Sequence, residues 1–347
     1  MLRFMQNKAA GFLSPALALA GILGSIGNAS AHVKWFCAFD VAGQPVGLAN
    51  VLCLDFEELT ALTIFVLVAA GIIERTPLGT ALVRSIVSFM TPVRWSSDVL
   101  IRGIAGFFFV SLWSMGGIII TPELKTTSEL IPLLQLGIAA CLLWRQTLVL
   151  SAAGIVTLYA IALHDYGLFH LMDYPIFLGL AAYLALTGLG IQTIGSLRPL
   201  DIARWAAAVT LMWASIEKWA YPEWTAPMFV NHPRVAMGFS PDFFMRAAGA
   251  VEFGLSFALV WTPLVRRAGA LVLTGMFLSA VLEFGKIDAI GHSCIVALLL
   301  AIAADDKVET VPVRQIVWTP VGYAASLAVV LLGYYELHSS LFGTSLV

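Results

Sequence analysis

Ten apolar stretches, each long enough for one helical pass through a membrane, dominate this 347-residue chain. A bilayer core about 30 Å thick requires roughly 20 mostly apolar residues for each pass. The alternating apolar and polar segments of about ten residues that are typical of membrane barrels do not occur. We therefore predict an all-α, polytopic transmembrane helical bundle with about ten passes. The stretches lie near 57–74, 99–119, 129–145, 147–164, 174–191, 204–221, 243–262, 267–284, 288–304 and 317–335.

The composition excludes several classes of protein. Hydrophobic residues make up 60% of the chain and charged residues only 12%, whereas soluble domains are near half apolar and a quarter charged. So few polar residues leave too little polar surface to cover a water-soluble globule of this size. A net charge of −2 offers no basic surface to nucleic acid. The four cysteines show no C-x-x-C spacing, which argues against zinc fingers and thioredoxin-type motifs. The lipid bilayer is the partner that the composition predicts.

The N-terminal residues 1–31 resemble a secretory signal in their layout. Two basic residues precede an apolar run that ends near residue 26, and Ala29-Ser30-Ala31 follows. A basic head, an apolar centre and a small-residue exit are typical of a cleavable signal peptide. The run is long for a signal and contains Pro15, so an uncleaved first transmembrane helix is the alternative. Either interpretation places His32 on the outer side of the membrane.

The basic residues predict the orientation. Short loops rich in Lys and Arg stay in the cytoplasm, and this rule places ten basic residues inside when His32 lies outside. All six histidines then fall outside or at the outer ends of helices. We predict a bacterial inner-membrane protein with its functional face in the periplasm. The inside residues are Arg75, Arg84, Arg94, Arg145, Arg198, Arg204, Arg266, Arg267, Lys307 and Arg314.

Residues 99–191 and 204–305 look like two copies of one four-helix unit. Pro122-Glu123 and Pro222-Glu223 correspond at a spacing of 100, and Asp165-Tyr166-Gly167 corresponds to Glu283-Phe284-Gly285. Two units of four passes share one orientation, so their axis stands along the membrane normal. Chance alignment of apolar helices is the alternative. The chain is thus predicted to contain two tandem four-helix repeats.

Two further regions flank the predicted repeats. Residues 32–98 are predicted to hold an outer segment, one transmembrane helix and an amphipathic helix on the inner membrane surface from Pro77 to Met90. Residues 306–347 are predicted to form the last transmembrane helix and an outer tail.

Carboxylates within apolar stretches supply the candidate catalytic residues. A charge at membrane depth is costly, so such residues usually face the bundle interior and have partners. Asp288 and His292 are four residues apart and share one helix face, which could orient the histidine for proton transfer. Glu–Lys pairs that merely join helices are the alternative. The candidates are Glu217, Lys218, Glu252, Glu283, Asp288 and His292.

Three histidines are candidate metal ligands. If cleavage follows Ala31, the free amine and ring nitrogen of His32 can chelate copper, which favours nitrogen ligands. His164 and His170 lie with two aspartates inside ten residues and form a second candidate site. For these two histidines, a solvated loop is the structural alternative.

The second copy also resembles a known family. The segments SIEKWAYPEW, GAVEFGLSFAL and AVLEFGKIDAIGH resemble the DoxX-like family of four-helix bacterial membrane proteins. The resemblance covers 204–305 and, more weakly, 99–191. The family includes small membrane subunits of thiosulfate:quinone oxidoreductases and membrane helpers of methylamine dehydrogenase maturation.

The resemblance implies a quinone-linked or periplasmic redox role, with Glu217, Lys218 and Glu252 at matching positions. The doubled architecture departs from the single unit of the family, which leaves substrate and partner open. The first functional hypothesis is a membrane subunit of a quinone-dependent oxidoreductase that works with a periplasmic redox enzyme. The alternatives are a transporter or cation- or copper-binding protein, and a non-catalytic assembly partner of a periplasmic enzyme.

Overall fold

The computed structural model of the chain describes Lys34 and residues 39–236, 238–307 and 311–345. The described part is all-helical, with two isolated β-bridges in loops. Each of the ten apolar stretches coincides with a helix. The main helices are α1 (Leu54–Glu74), α2 (Pro77–Phe89), α3 (Thr91–Met115), α4 (Leu130–Cys141), α5 (Leu148–Leu171), α6 (Pro175–Gly188), α7 (Pro199–Ala220), α8 (Pro241–Leu259), α9 (Pro263–Phe284), α10 (Lys286–Ala304) and α11 (Thr319–Phe342).

Six helices of the described part, α1, α3, α5, α9, α10 and α11, are long and apolar enough to span a membrane. On α1, Leu62 and Phe65 are 57% and 69% exposed, as expected for side chains in contact with lipid. The other four predicted passes are shorter or less apolar than a membrane span requires. Helices α4 and α6 have only 12 and 14 residues, and α7 and α8 carry charged side chains such as Glu217 and Arg246. The structure therefore supports a membrane protein with six clear spans.

Eight helices pack in a closed order. Each of α3 to α9 contacts the next helix along the chain, and α10 returns to contact α3. Helix α1 packs on α8, α9 and α11, and α11 packs on α7 and α8. Small residues allow the close approach of α6 and α7, since a methyl group added at Gly179 would lie 2.3 Å from the Ala206 Cβ.

The bundle has two chemically different ends. At the arginine end, defined by Arg94, Arg198 and Arg267, Arg198 forms ion pairs with Asp201 at 3.0 Å and with Asp305 at 2.6 Å. The histidine end, defined by His170, His232 and His338, is the opposite one. The predicted separation of arginines from histidines is present along α9, whose 22 residues span about 33 Å. Arg266 and Arg267 lie near its start, whereas the His292 ring, from the second turn of α10, packs on Phe277 in the far half of α9, with centroids 4.6 Å apart.

Two glycines interrupt helical geometry at the histidine end. Gly167 has φ 82° and ψ 165° inside α5, and Gly285 has φ 81° and ψ −154° between α9 and α10. Residues with a Cβ rarely adopt such positive φ values. Each break is followed three residues later by a buried polar side chain, His170 in one case and Asp288 in the other.

Candidate functional site

A group of five buried polar residues forms the candidate site, which we call the acid cluster: Lys34, Glu123, His170, Asp173 and Glu217. The Lys34 ammonium donates to Asp173 Oδ2 and to Glu217 Oε1. The side chains of these three residues are less than a tenth exposed. The cluster lies at the histidine end and joins parts of the chain that are up to 183 residues apart.

The acidic members come from helix ends and loops. Glu217 is in the last turn of α7, and Asp173 is in the α5–α6 loop, where its N–H donates to the His170 carbonyl at 3.3 Å. Glu123 lies in the α3–α4 loop. The buried Gln135 side chain holds that loop, because its Nε2 donates to the Ile118 and Ile119 carbonyls at 2.7 and 3.0 Å.

Aromatic side chains enclose the Lys34 ammonium. Its nitrogen lies 5.5 Å from the centre of the Trp224 ring and 5.8 Å from that of Phe39. Both distances are within the range of cation–π attraction. The Phe39 ring in turn meets the His170 ring edge-on, with centroids 5.5 Å apart. The aromatic rings and the two carboxylates together keep the ammonium away from water.

Carboxylates outnumber cations in the cluster. Lys34 is the one ammonium among its five members, against three carboxylates. The nearby Lys218 is engaged by Glu252 at 2.5 Å. Within the described part of the chain, no Lys or Arg forms an ion pair with Glu123, and Asp173 Oδ1 has no hydrogen-bond partner.

In this cluster the buried carboxyls of Glu123 and Asp173 bind protons more tightly than they would in water. Burial raises the pKa of Glu123 to about 7, and a backbone hydrogen bond to the carboxyl and the nearby Lys34 charge only partly oppose that rise. Burial also raises the pKa of Asp173, against the opposing effect of Lys34. The His170 Nε2 lies 3.9 Å from Glu123 Oε1. The cluster can therefore hold a proton near neutral pH.

The six residues proposed from the sequence as catalytic all lie at the histidine end, but they do not form one site. Only Glu217 belongs to the acid cluster. The others form separate pairs: Lys218 with Glu252 at 2.5 Å, His232 with Glu283 at 2.7 Å, and Asp288 with His292 at 3.1 Å.

Two of these pairs can be compared with what the sequence predicted for them. The shared helix face of Asp288 and His292 is confirmed by their 3.1 Å contact. Glu283 was expected inside apolar surroundings, yet its side chain is 40% exposed, because it lies in the last turn of α9, where the bundle ends.

The candidate metal ligands are not brought together. His32 lies outside the described residues. His164 is exposed and pairs with Asp165 at 2.9 Å, whereas His170 is buried and faces Glu123. Among the described residues, no group of three or more His, Cys, Asp or Glu side chains could hold a metal ion. The alternative of a solvated loop is also wrong for His170 and Asp173, because the α5 break at Gly167 turns this segment inward.

Sequence reasoning did not assign Lys34 or Glu123 to the site. Lys34 lies outside every predicted helix, and its partners are 139 and 183 residues away. The one signal that pointed to Glu123 was its Pro-Glu motif, which served only to align the two repeats.

Comparison of the chain with protein-family models, with curated proteins and with solved structures finds no match. The chemistry of the acid cluster is therefore the basis for proposing a function.

Proposed function

We propose that this chain is a quinone-linked membrane redox component in which the acid cluster exchanges protons with a bound quinol or quinone. The observation that carries the proposal is the buried Lys34 ammonium between Asp173 and Glu217, next to the buried carboxyl of Glu123. Reduction of a quinone to a quinol takes up two protons together with two electrons; a periplasmic redox enzyme would supply the electrons, and the protons need donors. Chains of Asp, Glu and His serve as proton relays inside membranes.

The proton affinity of Glu123 supports this role. A group that takes up or gives a proton works best when its pKa lies near the working pH, and burial brings the pKa of Glu123 to about 7. The side chains of Lys34, Asp173 and Glu217 are less than a tenth exposed, so the quinone is proposed to bind at the edge of the acid cluster. Enclosure favours controlled proton exchange over free equilibration with solvent.

We also propose that all ten helices cross the membrane and that α3–α6 and α7–α10 are tandem repeats. The matching breaks at Gly167 and Gly285 support this, as does the closed packing order of the eight helices. In this arrangement the first repeat supplies Glu123, His170 and Asp173, and the second supplies Glu217. The acid cluster then lies where the two repeats meet.

The proposed orientation follows from the arginine end, which the positive-inside rule assigns to the cytoplasm. The acid cluster then faces the periplasm. The DoxX-like resemblance of 204–305 agrees with this, because it implies a quinone-linked or periplasmic redox role and matches Glu217.

Binding of a short-chain quinol analogue to the purified protein in nanodiscs tests the proposal. Quenching of tryptophan fluorescence reports binding, since Trp224 lies at the cluster. We expect saturable binding and an affinity at least tenfold weaker in Glu217→Gln, because a hydrogen bond to a charged group contributes about 1.5–3 kcal/mol. Glu123→Gln is the milder variant, since Glu123 does not bond the Lys34 ammonium.

The matched control is Glu283→Gln, a carboxylate at the same end that pairs with His232 outside the cluster. It should bind the analogue as the unaltered protein does. Absence of saturable binding in the unaltered protein, or equal loss in Glu283→Gln, would contradict the quinone-linked function.

A second candidate function is cation-coupled transport. The observation that favours it is the charged cluster at the meeting of two bundles with broken helices, a feature of carriers. Uptake of a labelled divalent cation into proteoliposomes distinguishes the two functions, because the redox proposal predicts no uptake.

A further inference from the structure

An apolar groove lies at the arginine end, far from the acid cluster. It has a volume of about 530 Å³ and runs between the last turns of α1 and the segment that leads into α11. This volume is within the range of ligand pockets in proteins. Ile316 forms its floor, since Gly71 of α1 approaches it so closely that a Cβ would lie 3.3 Å from Ile316 Cγ1. The lining is Val68, Ile72, Arg75, Thr76, Val313, Ile316, Val317 and Pro320.

The walls of this groove are open to the surroundings of the bundle. Ile72, Val313 and Val317 are 56%, 57% and 67% exposed. Helix α1 is a clear membrane span whose apolar window is only 17% buried by protein. Lipid is therefore the medium that the groove meets, and hydrocarbon is the material that fits its walls.

One guanidinium group lines this groove, and a second arginine is adjacent to a lining residue in the sequence. Arg75 is part of the lining and donates from Nη1 to the Val311 carbonyl at 3.2 Å. Arg314 is exposed and follows the lining residue Val313. Within the described residues neither arginine has an ion pair, whereas Asp305 and Asp306 at the same end are paired with other arginines.

We propose that this groove binds one anionic phospholipid, with an acyl chain along its apolar walls and the phosphate against Arg75 and Arg314. An acyl chain gains little by leaving other lipid, because lipid tails are as apolar as the groove. The headgroup charge must then supply the selectivity. A guanidinium matches phosphate geometry with paired hydrogen bonds. Each basic residue near a membrane surface contributes about 1 kcal/mol, or roughly a fivefold preference for an anionic lipid.

Native mass spectrometry of the full-length protein tests this, with phosphatidylglycerol and phosphatidylcholine added in equal amounts. We expect one phosphatidylglycerol to be retained in preference to phosphatidylcholine. The double variant Arg75→Gln/Arg314→Gln should lower that preference by about 25-fold, from two contributions of fivefold each. Val317→Trp, which fills the groove without changing charge, should lower retention of the lipid as well.

The matched control is Arg84→Gln, which removes an exposed arginine of α2 that does not line the groove. It should leave the preference unchanged. An equal loss in Arg84→Gln would mean that the basic surface as a whole attracts the lipid, and would overturn the proposal. Equal retention of both lipids, displacement of phosphatidylglycerol by free inorganic phosphate, or retention of a quinone analogue in its place would also overturn it. Circular dichroism confirms that each variant is folded.

Discussion

The Lys34 ammonium pairs with two buried carboxylates, and removing these charges from water costs free energy. Taking charges out of water is unfavourable, and the attraction between them compensates only when the geometry is good. Here one ammonium bonds two carboxylates, and the rings of Trp224 and Phe39 supply further attraction. Such an arrangement is a poor source of stability compared with apolar packing, and this favours a functional reason for it.

Glu123 gives the folded protein a pH dependence that we can predict. Burial raises its pKa from 4.5 to about 7 in the folded state, so the folded protein binds this proton more tightly than the unfolded chain. The resulting stabilisation is complete below pH 4.5 and is lost as the pH rises through about 7. The groups that face it are Lys34, Asp173 and His170.

We expect Glu123→Gln to remove this dependence. The melting temperature of the unaltered protein should fall by several degrees between pH 5.5 and 8.5, relative to that of Glu123→Gln over the same range. Thermal unfolding in detergent measures both profiles. Parallel profiles would show that Glu123 keeps an ordinary proton affinity in the folded state.

The helices themselves could be predicted from sequence, and the reason is local. Each apolar stretch is long enough to be recognised as a helix from the sequence. The contact between Asp288 and His292 follows from their spacing on one helix. The positions of the helix ends were predicted less accurately. Helix α4 ends at Cys141 rather than near 145, because a short 3-10 turn, Arg145–Thr147, leads from there into α5.

The two glycine breaks give a prediction for the helices that contain them. An alanine at 167 or 285 must adopt a positive φ with extended ψ, which costs about 1–3 kcal/mol. The strain is purely conformational at 167, because no atom lies within 4 Å of an added Cβ. We expect Gly167→Ala and Gly285→Ala to destabilise the protein by that amount, measured by thermal unfolding.

Gly275 is the matched control, since it is helical and an added Cβ there also meets no atom within 4 Å. Gly275→Ala should be neutral or stabilise by up to about 1 kcal/mol, through the higher helix propensity of alanine. If Gly167→Ala behaves as Gly275→Ala does, the break at 167 is not required by the fold.

The acid cluster could not be predicted as a unit, because it depends on how the whole bundle closes. Glu217 was identified from its apolar surroundings, but its partner Lys34 is 183 residues away in the N-terminal segment. Periodicity reports which side of a helix is apolar, and it contains no information on which loops meet. The packing of α6 on α7 and of α10 on α3 determines which loops meet.

The membrane topology of the whole molecule depends most on α4, the shortest proposed pass. Its 12 residues span about 18 Å, less than the 30 Å bilayer core. A short helix can still cross when the bilayer thins or when flanking residues complete the span. Buried apolar residues of the preceding loop, such as Ile119 and Ile120, are available for this.

Cysteine labelling on either side of α4 tests this pass in a background without native cysteines. Ser128 and Gln146 are exposed, and α4 is the one helix longer than a single turn between them. We expect Ser128→Cys to react with an impermeant maleimide in intact cells, and Gln146→Cys to react only after permeabilisation. Ser196→Cys, in the α6–α7 loop, should behave as Gln146→Cys does. Reaction of Ser128→Cys and Gln146→Cys from the same side would show that α4 does not cross. The proposed match between the α3–α6 and α7–α10 repeats would then fail, and so would the proposed place of the acid cluster between them.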